Sequence, residues 1–470
     1  MISGTIFGLM TVLSHAPLPS LGGTVVIYDR NSIDMLSPTT ANTTGTKLLS
    51  TSVFETLFAT DDKGKVTGQL ADDNFSYKNG VLTFRLRPNL FLHNGQRLQH
   101  EHIINHFHRL AKKKDSSALH IVAPFTKRNS EESGPHLNIS YSSESREFKI
   151  VTQPPYPDIM RLLSTPRSAI AVEGFGTGPF KVASVKPTIL ESFIQFRRGA
   201  PYIDRIEHIG NISPFKARAA LRSGLADLIF GIDDLDRKTE AFAYAHASSD
   251  FEDFIVLQVG RNSEDLANSS DLNNLRSALN RNRLVRRYLS ERASPATNFF
   301  AHNQKLPRSR QFEQSRKIRT MILNKDSVAS IRFAERVQFE LVKKGLTVKI
   351  KSIPPSEFQQ KVARGEFDFA LRSISLSQAS QFSASSKLYR LLEVASENNV
   401  FEAVSNANQM SAFSKARREE QSNLLAKLEK DLRESARIIV IAKQVPLLIQ
   451  RKAIFNKKEK TLRLEYLEKN

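Results

Sequence analysis

The chain has 470 residues, which is too long for one compact core because single hydrophobic cores stop growing at roughly 250 to 300 residues. Hydrophobic residues make up 40% and charged residues 25%, values typical of globular proteins. With no Cys, the sequence excludes disulfides, thiolate metal sites and a cysteine nucleophile, and leaves the redox compartment open.

The N-terminal residues 1–21 are typical of a targeting segment. An apolar run from Ile2 to Leu13 is too short to span a bilayer, and Ser14 and Ala16 supply the small residues of a cleavage site, although no Lys or Arg precedes the run. We therefore expect a periplasmic or exported protein. Without Cys it is not a Cys-anchored lipoprotein, and no later stretch is apolar enough to predict an integral membrane span.

The first half of the chain alternates strand and helix patterns. Asn79-Gly80 is a hairpin signal before a strand in which Leu82, Phe84 and Leu86 share one face. Ser213-Pro214 predicts a helix start and Gly224 its end. Other predicted elements are a strand from Gly22, helices at 48–57, 98–114 and 157–163, strands at 147–155 and after the Gly-rich turn 174–180, and a strand at 225–232.

The second half, beyond an expected change of domain near 233–249, has a βαβ rhythm. The predicted strands are 253–260, 346–353, 367–375 and 437–449, and the predicted helices are 271–289, 328–345, 357–365 and 413–432. These patterns predict an α/β fold.

Positive charge is concentrated in one segment. The formal net charge is +20, and residues 276–319 hold ten Arg and two Lys against Glu291 and Glu313, about half of the excess. Such a segment could attract nucleic acid, anionic lipid or an acidic protein. No stacking aromatic residues alternate with the arginines, so we interpret it as a solvated basic face and do not expect nucleic-acid binding.

Three short motifs resemble parts of phosphate-binding, metal-binding or catalytic sites. We interpret each of them as an ordinary structural or surface feature. The glycines of GFGTGPF are spaced as in a phosphate-binding loop, but Pro179 removes a backbone donor, so a structural turn is predicted. His102 and His106 lie one helical turn apart, without the remaining pattern of a metalloprotease, and are interpreted as solvated surface histidines. Ser213-x-x-Lys216 is assigned to the helix cap. We expect no catalytic residue, no metal and no cofactor.

Six segments taken in order resemble one family, the extracytoplasmic solute-binding proteins of the peptide/nickel class that serve ABC transporters (substrate-binding protein family 5, dipeptide/oligopeptide-binding-protein-like). The segments are GGTVVIYD with DMLSP, residues 53–98, GTGPFKVASV, YIDRIEHI with KARAALRSGLADLIFGI, LNNLRSALNRNRLV, and LVKKGLTVKIKSI with FQQKVARGEFDFAL. The resemblance covers nearly the whole chain.

The resemblance implies a two-lobed periplasmic-binding-protein-like fold with an extra subdomain, in which mixed sheets are flanked by helices. Lobe I is expected to comprise residues 22–235 plus 441–470, including the small subdomain, and lobe II residues 236–440. A ligand cleft between the lobes and two chain crossings acting as a hinge are implied as well.

The sequence departs from the family pattern where ligand specificity is expected. In peptide-binding relatives, the strand corresponding to FDFAL leads to a Trp and to an Asp that pairs with the ligand's amino terminus; Ile374 and Ser377 stand near those positions here. No acidic residue occurs between Asp368 and Glu393, whereas Arg261 and Arg372 could favour an anionic group. The candidate ligand-binding residues are Thr43, Arg261, Asn262, Arg372, Ser375 and Ser377.

The resemblance implies a binding protein and not an enzyme. We expect a monomer that captures a peptide-like or other small organic ligand and presents it to an ABC permease. Two alternatives remain open at this point. One is a degenerate family member that acts as a receptor or interaction protein through its basic lobe, and the other is a polyanion-binding protein.

Overall fold

The structure is a computed structural model of the chain. It describes residues 22–33, 35–41, 43–61, 65–112, 119–127, 136–153, 155–231, 240–247, 251–289, 292–300, 305–312, 317–325, 331–377, 384–398, 400, 412–413, 416–452, 454–456, 464 and 467–469. The expected targeting segment, residues 1–21, lies outside this part of the chain.

Within the described part of the chain, strands and helices alternate, but the helix predicted at 271–289 is two helices, and the strand predicted at 437–449 is two strands that join different sheets. The strands are β1 (Thr24–Asp29), β2 (Phe58–Thr60), β3 (Val66–Gly68), β4 (Ser76–Lys78), β5 (Val81–Phe84), β6 (Thr126–Lys127), β7 (His136–Leu137), β8 (Ile139–Ser142), β9 (Glu147–Val151), β10 (Phe180–Val185), β11 (Thr188–Ser192), β12 (Arg205–Ile209), β13 (Leu228–Phe230), β14 (Ala243–Ala247), β15 (Phe251–Val259), β16 (Ala293–Pro295), β17 (Ile318–Asn324), β18 (Thr347–Ile353), β19 (Phe369–Ser377), β20 (Ile438–Gln444), β21 (Leu447–Arg451), β22 (Ile454–Asn456) and β23 (Leu467–Lys469). The helices are α1 (Thr44–Val53), α2 (His100–Lys112), α3 (Leu119–Val122), α4 (Ile159–Leu162), α5 (Pro214–Ser223), α6 (Ser269–Ala278), α7 (Arg281–Tyr288), α8 (Ile331–Val342), α9 (Pro355–Arg364), α10 (Ala384–Glu397) and α11 (Arg418–Ser435).

Two mixed sheets organise the chain. The first has the strand order β10-β11-β12-β1-β13-β21-β14, and the second has the order β16-β20-β15-β19-β17-β18. In the first sheet β1 is parallel to both of its neighbours, β12 and β13. In the second sheet β15 is antiparallel to both β19 and β20. Each sheet is the centre of one lobe.

A smaller unit is inserted into the first lobe between α1 and β10. It is built on the sheet β4-β5-β9-β8 and on α2. Its core contains Phe58, Phe84, Phe107, Phe125 and Phe148, with the rings of Phe84 and Phe148 stacked 5.0 Å apart. The extra subdomain that the resemblance implies is therefore present.

The chain passes from the first sheet to the second between Ala247 and Phe251, and returns between Gln444 and Leu447. These passages lie later than the expected boundaries at 235/236 and 440/441. The reason is strand pairing: β14 joins β21 in the first sheet, and β20 runs to its last residue beside β15 in the second.

The core strands of the second lobe are buried on both faces. Along β15, Ile255 and Leu257 contribute to one core cluster, and Phe254 and Val256 contribute to another on the opposite face. A continuous apolar run is what such a doubly covered strand requires. The first cluster packs against α6, α7 and α8, and the second against α10 and α11.

Local signals set the ends of α5 as predicted. The hydroxyl of Ser213 accepts a hydrogen bond from the backbone N–H of Lys216, Pro214 is the first helical residue, and Gly224 closes the helix with φ +78°. A left-handed residue at this position favours glycine because it has no Cβ. Ser213 is thus a cap, and its resemblance to a nucleophile motif has a structural cause.

Candidate functional site

The first lobe presents the start of α1 to the second lobe. Thr43 caps this helix: its hydroxyl accepts a hydrogen bond from the Thr46 backbone N–H at 3.2 Å, and the Thr46 hydroxyl accepts one from the Thr43 N–H at 2.9 Å. Gly45 lets the helix approach the end of β1, because a Cβ there would lie 2.1 Å from Oδ2 of Asp29. These contacts fix the first turn of α1 against the sheet.

Lys47 extends from α1 into the second lobe. Its side chain is buried, and Nζ donates a hydrogen bond to the backbone carbonyl oxygen of Ser375 on β19 at 2.6 Å. Nζ also lies 3.8 Å from Oε1 of Glu393 on α10. A buried ammonium is tolerated only with such partners, so Lys47 links the two lobes.

Arg167 makes a second link. It lies in a 3₁₀ turn, Pro166–Ser168, and Nε donates a hydrogen bond to Oε1 of Glu393 at 2.7 Å. Nη1 donates to the backbone carbonyl of Thr39 at 3.1 Å, within the first lobe. Glu393 therefore contacts two cations from the opposite lobe, and we call Lys47, Arg167 and Glu393 the junction triad.

Beside the junction triad, β19 has an edge without a second strand. β19 pairs with β15 over its whole length, whereas β17 pairs with it only from Phe369 to Leu371. From Arg372 to Ser377 the described residues supply no strand on that side. The edge lies next to α1, as the Lys47–Ser375 hydrogen bond shows. Free backbone groups on a strand edge can pair with an extended ligand.

Ion pairs whose carboxylates are largely buried gather at this junction. Lys47 and Arg167 share one carboxylate, that of Glu393, and nearby Lys443 lies 3.3 Å from Glu252. Buried charges interact more strongly with their partners than exposed ones, because the surroundings screen them less. The geometry thus combines a strand edge with buried cations between two lobes.

Residues 65–391 match the family model described as bacterial extracellular solute-binding proteins, family 5 Middle. The chain belongs to this family. The matched residues cover well over half of the sequence and include parts of both lobes.

Sequence comparison also finds the nickel-binding protein NikA of Staphylococcus aureus (strain NCTC 8325 / PS 47), which is 24% identical over 164 residues. That alignment spans 32% of this chain and 30% of the relative. The family 5 assignment therefore rests on the family model and not on this partial alignment.

Solved family 5 structures have the same fold. S. aureus NikA in complex with Ni(L-His)2 superimposes with a TM-score of 0.74 at 16% identity, covering 96% of this chain and 100% of that one. DppA from Helicobacter pylori in complex with a peptide gives 0.75 at 15% identity, with coverage of 96% and 98%. Haemophilus influenzae OppA in complex with a peptide gives 0.76 at 14% identity, with coverage of 96% and 100%. The two-lobed α/β fold expected from the sequence is confirmed.

Among the described residues, no helix combines the length and apolarity that a membrane crossing requires. The same residues contain no group of three or more His, Asp or Glu side chains placed to hold a metal ion.

The structure brings three of the predicted site residues to the junction. Thr43 starts α1, the Ser375 carbonyl accepts the Lys47 hydrogen bond, and Ser377 ends β19 opposite Phe251. Arg372 lies farther along β19, where Nη2 donates to Oδ1 of Asn398 at 2.7 Å. Ligand binding by these four residues stays a prediction.

Arg261 and Asn262 lie at the opposite end of the β15–β19 strand pair from Ser375 and Ser377. They follow β15 in a 3₁₀ turn, Arg261–Leu266; the Arg261 N–H donates to the Gly365 carbonyl at 2.8 Å. Eight residue steps along β15 separate this end from the junction end, roughly 26 Å. The structure therefore does not bring these two residues together with Thr43 and Ser375, and their role in ligand binding stays a prediction.

Sequence reasoning missed the whole junction triad. Arg167 and Glu393 belong to no recognisable motif. A weak signal exists for Lys47, which is the one charged residue of α1, in the helix sequence TGTKLLSTSV.

The glycine-rich turn is structural, as predicted. Cβ atoms at Gly176 and Gly178 would lie 2.0 Å from the Val53 carbonyl oxygen and 2.5 Å from that of Ser52, at the end of α1. His93 holds the turn from the other side, with Nε2 3.0 Å from the Gly178 carbonyl oxygen. Burial lowers the pKa of His93 to about 4.

The interpretation of His102 and His106 as solvated residues is wrong for His106. Its side chain is buried, with Nδ1 3.1 Å from the Ala171 carbonyl oxygen, because this face of α2 packs onto the subdomain core. His102 is half-buried, and its Nδ1 accepts a hydrogen bond from the Gln99 N–H at 3.1 Å.

The basic segment is not wholly a surface feature either. Three of its arginines, Arg276, Arg281 and Arg319, are buried. Arg281 donates hydrogen bonds to the carbonyls of Ala296 and Val440, and burial lowers its pKa to about 9. Among the described residues of the basic segment, the exposed cations are Arg283, Arg286, Arg287, Arg292, Lys305, Arg308, Arg310 and Lys317.

Proposed function

We propose that this protein is the binding component of an ABC-type import system. It captures a small organic ligand between its lobes and presents the closed form to a membrane permease. The family match over residues 65–391 and the two-lobed fold support this function. Solved relatives hold Ni(L-His)2 or peptides, so a peptide-like or other small organic molecule is the ligand class we favour.

The observation that carries the proposal is the contact between Lys47 and Ser375. It joins a buried cation of one lobe to the strand edge of the other, and we propose that the lobes close on the ligand beside this contact. Binding energy is then supplied by burial and by charge-assisted hydrogen bonds, which are about twice as strong as neutral ones. The proposed activity is binding and release, without covalent chemistry.

We further propose an extracytoplasmic location, with residues 1–21 as the export signal, and a monomeric state. Cell fractionation with a C-terminal tag, combined with N-terminal sequencing of the purified protein, tests the location. Recovery of the tagged chain in the cytoplasm with an intact N-terminus would contradict it.

The direct test is native mass spectrometry of the gently purified protein, followed by a thermal-shift screen with peptides, sugars and anionic metabolites. A molecule that binds only the folded state raises the melting temperature. Absence of both a co-purified molecule and any thermal shift would overturn the proposal.

The exposed basic face supports a second candidate, binding of an acidic partner or polyanion by the second lobe. This candidate predicts binding to heparin that weakens steeply with salt, because counterions are released on binding. A flat salt response would eliminate it, without affecting the ligand-binding proposal.

A further inference from the structure

Helix α8 of the second lobe presents an apolar stripe to solvent. Ile331, Phe339 and Val342 are 56%, 43% and 49% exposed. Their positions place them on the side of the helix opposite the buried side chains of Phe333 and Val337. Exposed apolar side chains are ordinary when they are scattered singly, but several on one helix face indicate an interaction surface.

Two cations flank the aromatic ring of this stripe. Cζ of Arg336 lies 4.2 Å and Nζ of Lys343 lies 4.7 Å from the centre of the Phe339 ring. Arg336 also donates a hydrogen bond to Glu340 at 3.0 Å, whereas Lys343 and Arg332 are exposed. The solvent side of α8 is therefore both apolar and basic, which is the composition of helices that lie at a bilayer surface.

Neighbouring elements extend this surface. α7 packs beside α8 on the same core cluster, so the solvent sides of the two helices belong to one side of the lobe. Segment 305–312 crosses the end of α8, where the N–H of Phe312 donates to the Lys344 carbonyl at 2.8 Å and Nζ of Lys344 donates to the Ser309 carbonyl at 3.1 Å. We call the solvent sides of α7 and α8, together with segment 305–312, the basic–apolar face.

The charge of the basic–apolar face is almost all of one sign. α7 contributes three exposed arginines, α8 with the residue after it contributes Arg332 and Lys343, and segment 305–312 contributes three further exposed cations. Among the described residues of these elements, Glu335 is the one exposed carboxylate. A surface with this imbalance attracts a partner that carries many negative charges.

We propose that the basic–apolar face binds the surface of an anionic lipid bilayer. Anionic headgroups pair with the cations, and the apolar stripe of α8 enters the boundary between headgroups and acyl chains. A soluble polyanion neutralises the cations but leaves the apolar stripe in water, so a bilayer accounts for both features. The inference goes beyond ligand binding and specifies one partner for the basic face of the second lobe. In the proposed import function, this contact keeps the binding protein near the membrane of its permease.

The first test is co-sedimentation of the full-length protein with lipid vesicles. One set of vesicles contains phosphatidylglycerol and phosphatidylcholine in equal parts, and the other contains phosphatidylcholine alone. We expect binding to the anionic vesicles only. Raising the sodium chloride concentration should weaken this binding about tenfold or more, because salt screens exposed charges.

A tryptophan reporter locates the contact. The chain has no Trp, so a single introduced Trp gives a signal without background. In Phe339→Trp the emission should move to shorter wavelength when anionic vesicles are added and should be quenched by brominated lipid, because the indole enters the interface. Phe215→Trp is the matched control: Phe215 is 76% exposed on α5 of the first lobe, and the emission of this variant should not change.

Charge variants test the cations of the basic–apolar face. The double variant Arg286→Gln, Lys343→Gln should bind anionic vesicles about thirtyfold more weakly than wild type, since each cation near an anionic surface contributes about fivefold. Lys78→Gln, Lys149→Gln removes two exposed cations from the inserted subdomain of the first lobe and should bind within about twofold of wild type. Thermal unfolding followed by circular dichroism checks that both double variants are folded.

The outcomes separate this inference from the proposed function. Absence of wild-type binding to anionic vesicles, an unchanged Phe339→Trp emission in the bound protein, or equal weakening by the two double variants overturns the bilayer inference. Binding to heparin without binding to vesicles also overturns it, in favour of a soluble polyanion. Ligand-dependent thermal shifts are measured on the same preparations without vesicles. A retained shift with no vesicle binding leaves the import function in place, and vesicle binding with no co-purified molecule and no shift overturns the import function alone.

Discussion

Glu393 of the second lobe accepts a hydrogen bond from Nε of Arg167 of the first lobe at 2.7 Å, across a sequence separation of 226 residues. Both side chains are largely withdrawn from solvent, with side-chain exposures of 3% for Arg167 and 12% for Glu393. Lys47 approaches the same carboxylate, so Glu393 contacts two cations of the opposite lobe.

Replacing this carboxylate should weaken the junction between the lobes. Glu393→Gln removes the negative charge that both Lys47 and Arg167 contact, and breaking a buried ion pair in this way costs about 3 to 5 kcal/mol. Urea unfolding measures the loss in stability, and small-angle scattering should show a larger radius of gyration. Glu419→Gln, at an exposed position on α11, is the control and should change stability by less than about 0.5 kcal/mol. Equal behaviour of the two variants would show that the triad does not hold the lobes together.

Variants of Thr43 test whether its side chain caps α1, binds the ligand, or does both. Thr43→Ala removes the hydroxyl that caps α1 and should cost about 1 kcal/mol in chemical denaturation, whereas Thr43→Ser should retain most of the stability. Ligand affinity is measured on both variants at a temperature where each is folded. If the alanine variant keeps full stability, the capping role is refuted.

The free energy of unfolding should decrease as the pH is lowered, because His93 becomes protonated. Its Nε2 donates to the Gly178 carbonyl oxygen and its Nδ1 accepts from the Gly176 N–H at 3.4 Å, which together require the neutral ring. Burial lowers the folded-state pKa from 6.5 to about 4, so between these pH values the unfolded chain binds more protons than the folded one. The free energy of unfolding should therefore drop by about 3 kcal/mol as pH falls from 6.5 to 4.

A His93→Asn variant checks the origin of this pH dependence. Its urea-unfolding free energy should be lower than that of wild type at pH 7 and should change less between pH 6.5 and 4. An identical pH profile for the two proteins would assign the acid sensitivity to other groups.

Gly176 should not tolerate even a methyl group. In Gly176→Ala the added Cβ would meet the Val53 carbonyl at the end of α1, so the turn or the helix must shift. We expect a loss of about 3 kcal/mol or more, at the upper end of overpacking effects. Gly95→Asn is a suitable comparison, because Gly95 has open space around it and Asn tolerates a positive φ better than other residues. Thermal unfolding that ranks the two variants in the opposite order would contradict the packing argument.

Much of the fold follows from local patterns. The ends of α5 follow from Ser213, Pro214 and Gly224, and the buried strand β15 follows from its continuous apolar run. The order of the family segments along the chain was enough to identify the fold. In each case the physical cause lies within a few residues of the feature itself, where capping, φ preference and strand alternation operate.

The site depends instead on contacts between distant parts of the chain. Lys47 and Ser375 are 328 residues apart, and Arg167 and Glu393 are 226 residues apart. Likewise, composition identified the basic segment, but only packing decided that Arg281 is buried while Arg286 is exposed. The sequence by itself determined the elements and the family, because those depend on local free energies. The tertiary structure alone decided which charges meet between the lobes, because burial and pairing depend on how the two lobes pack.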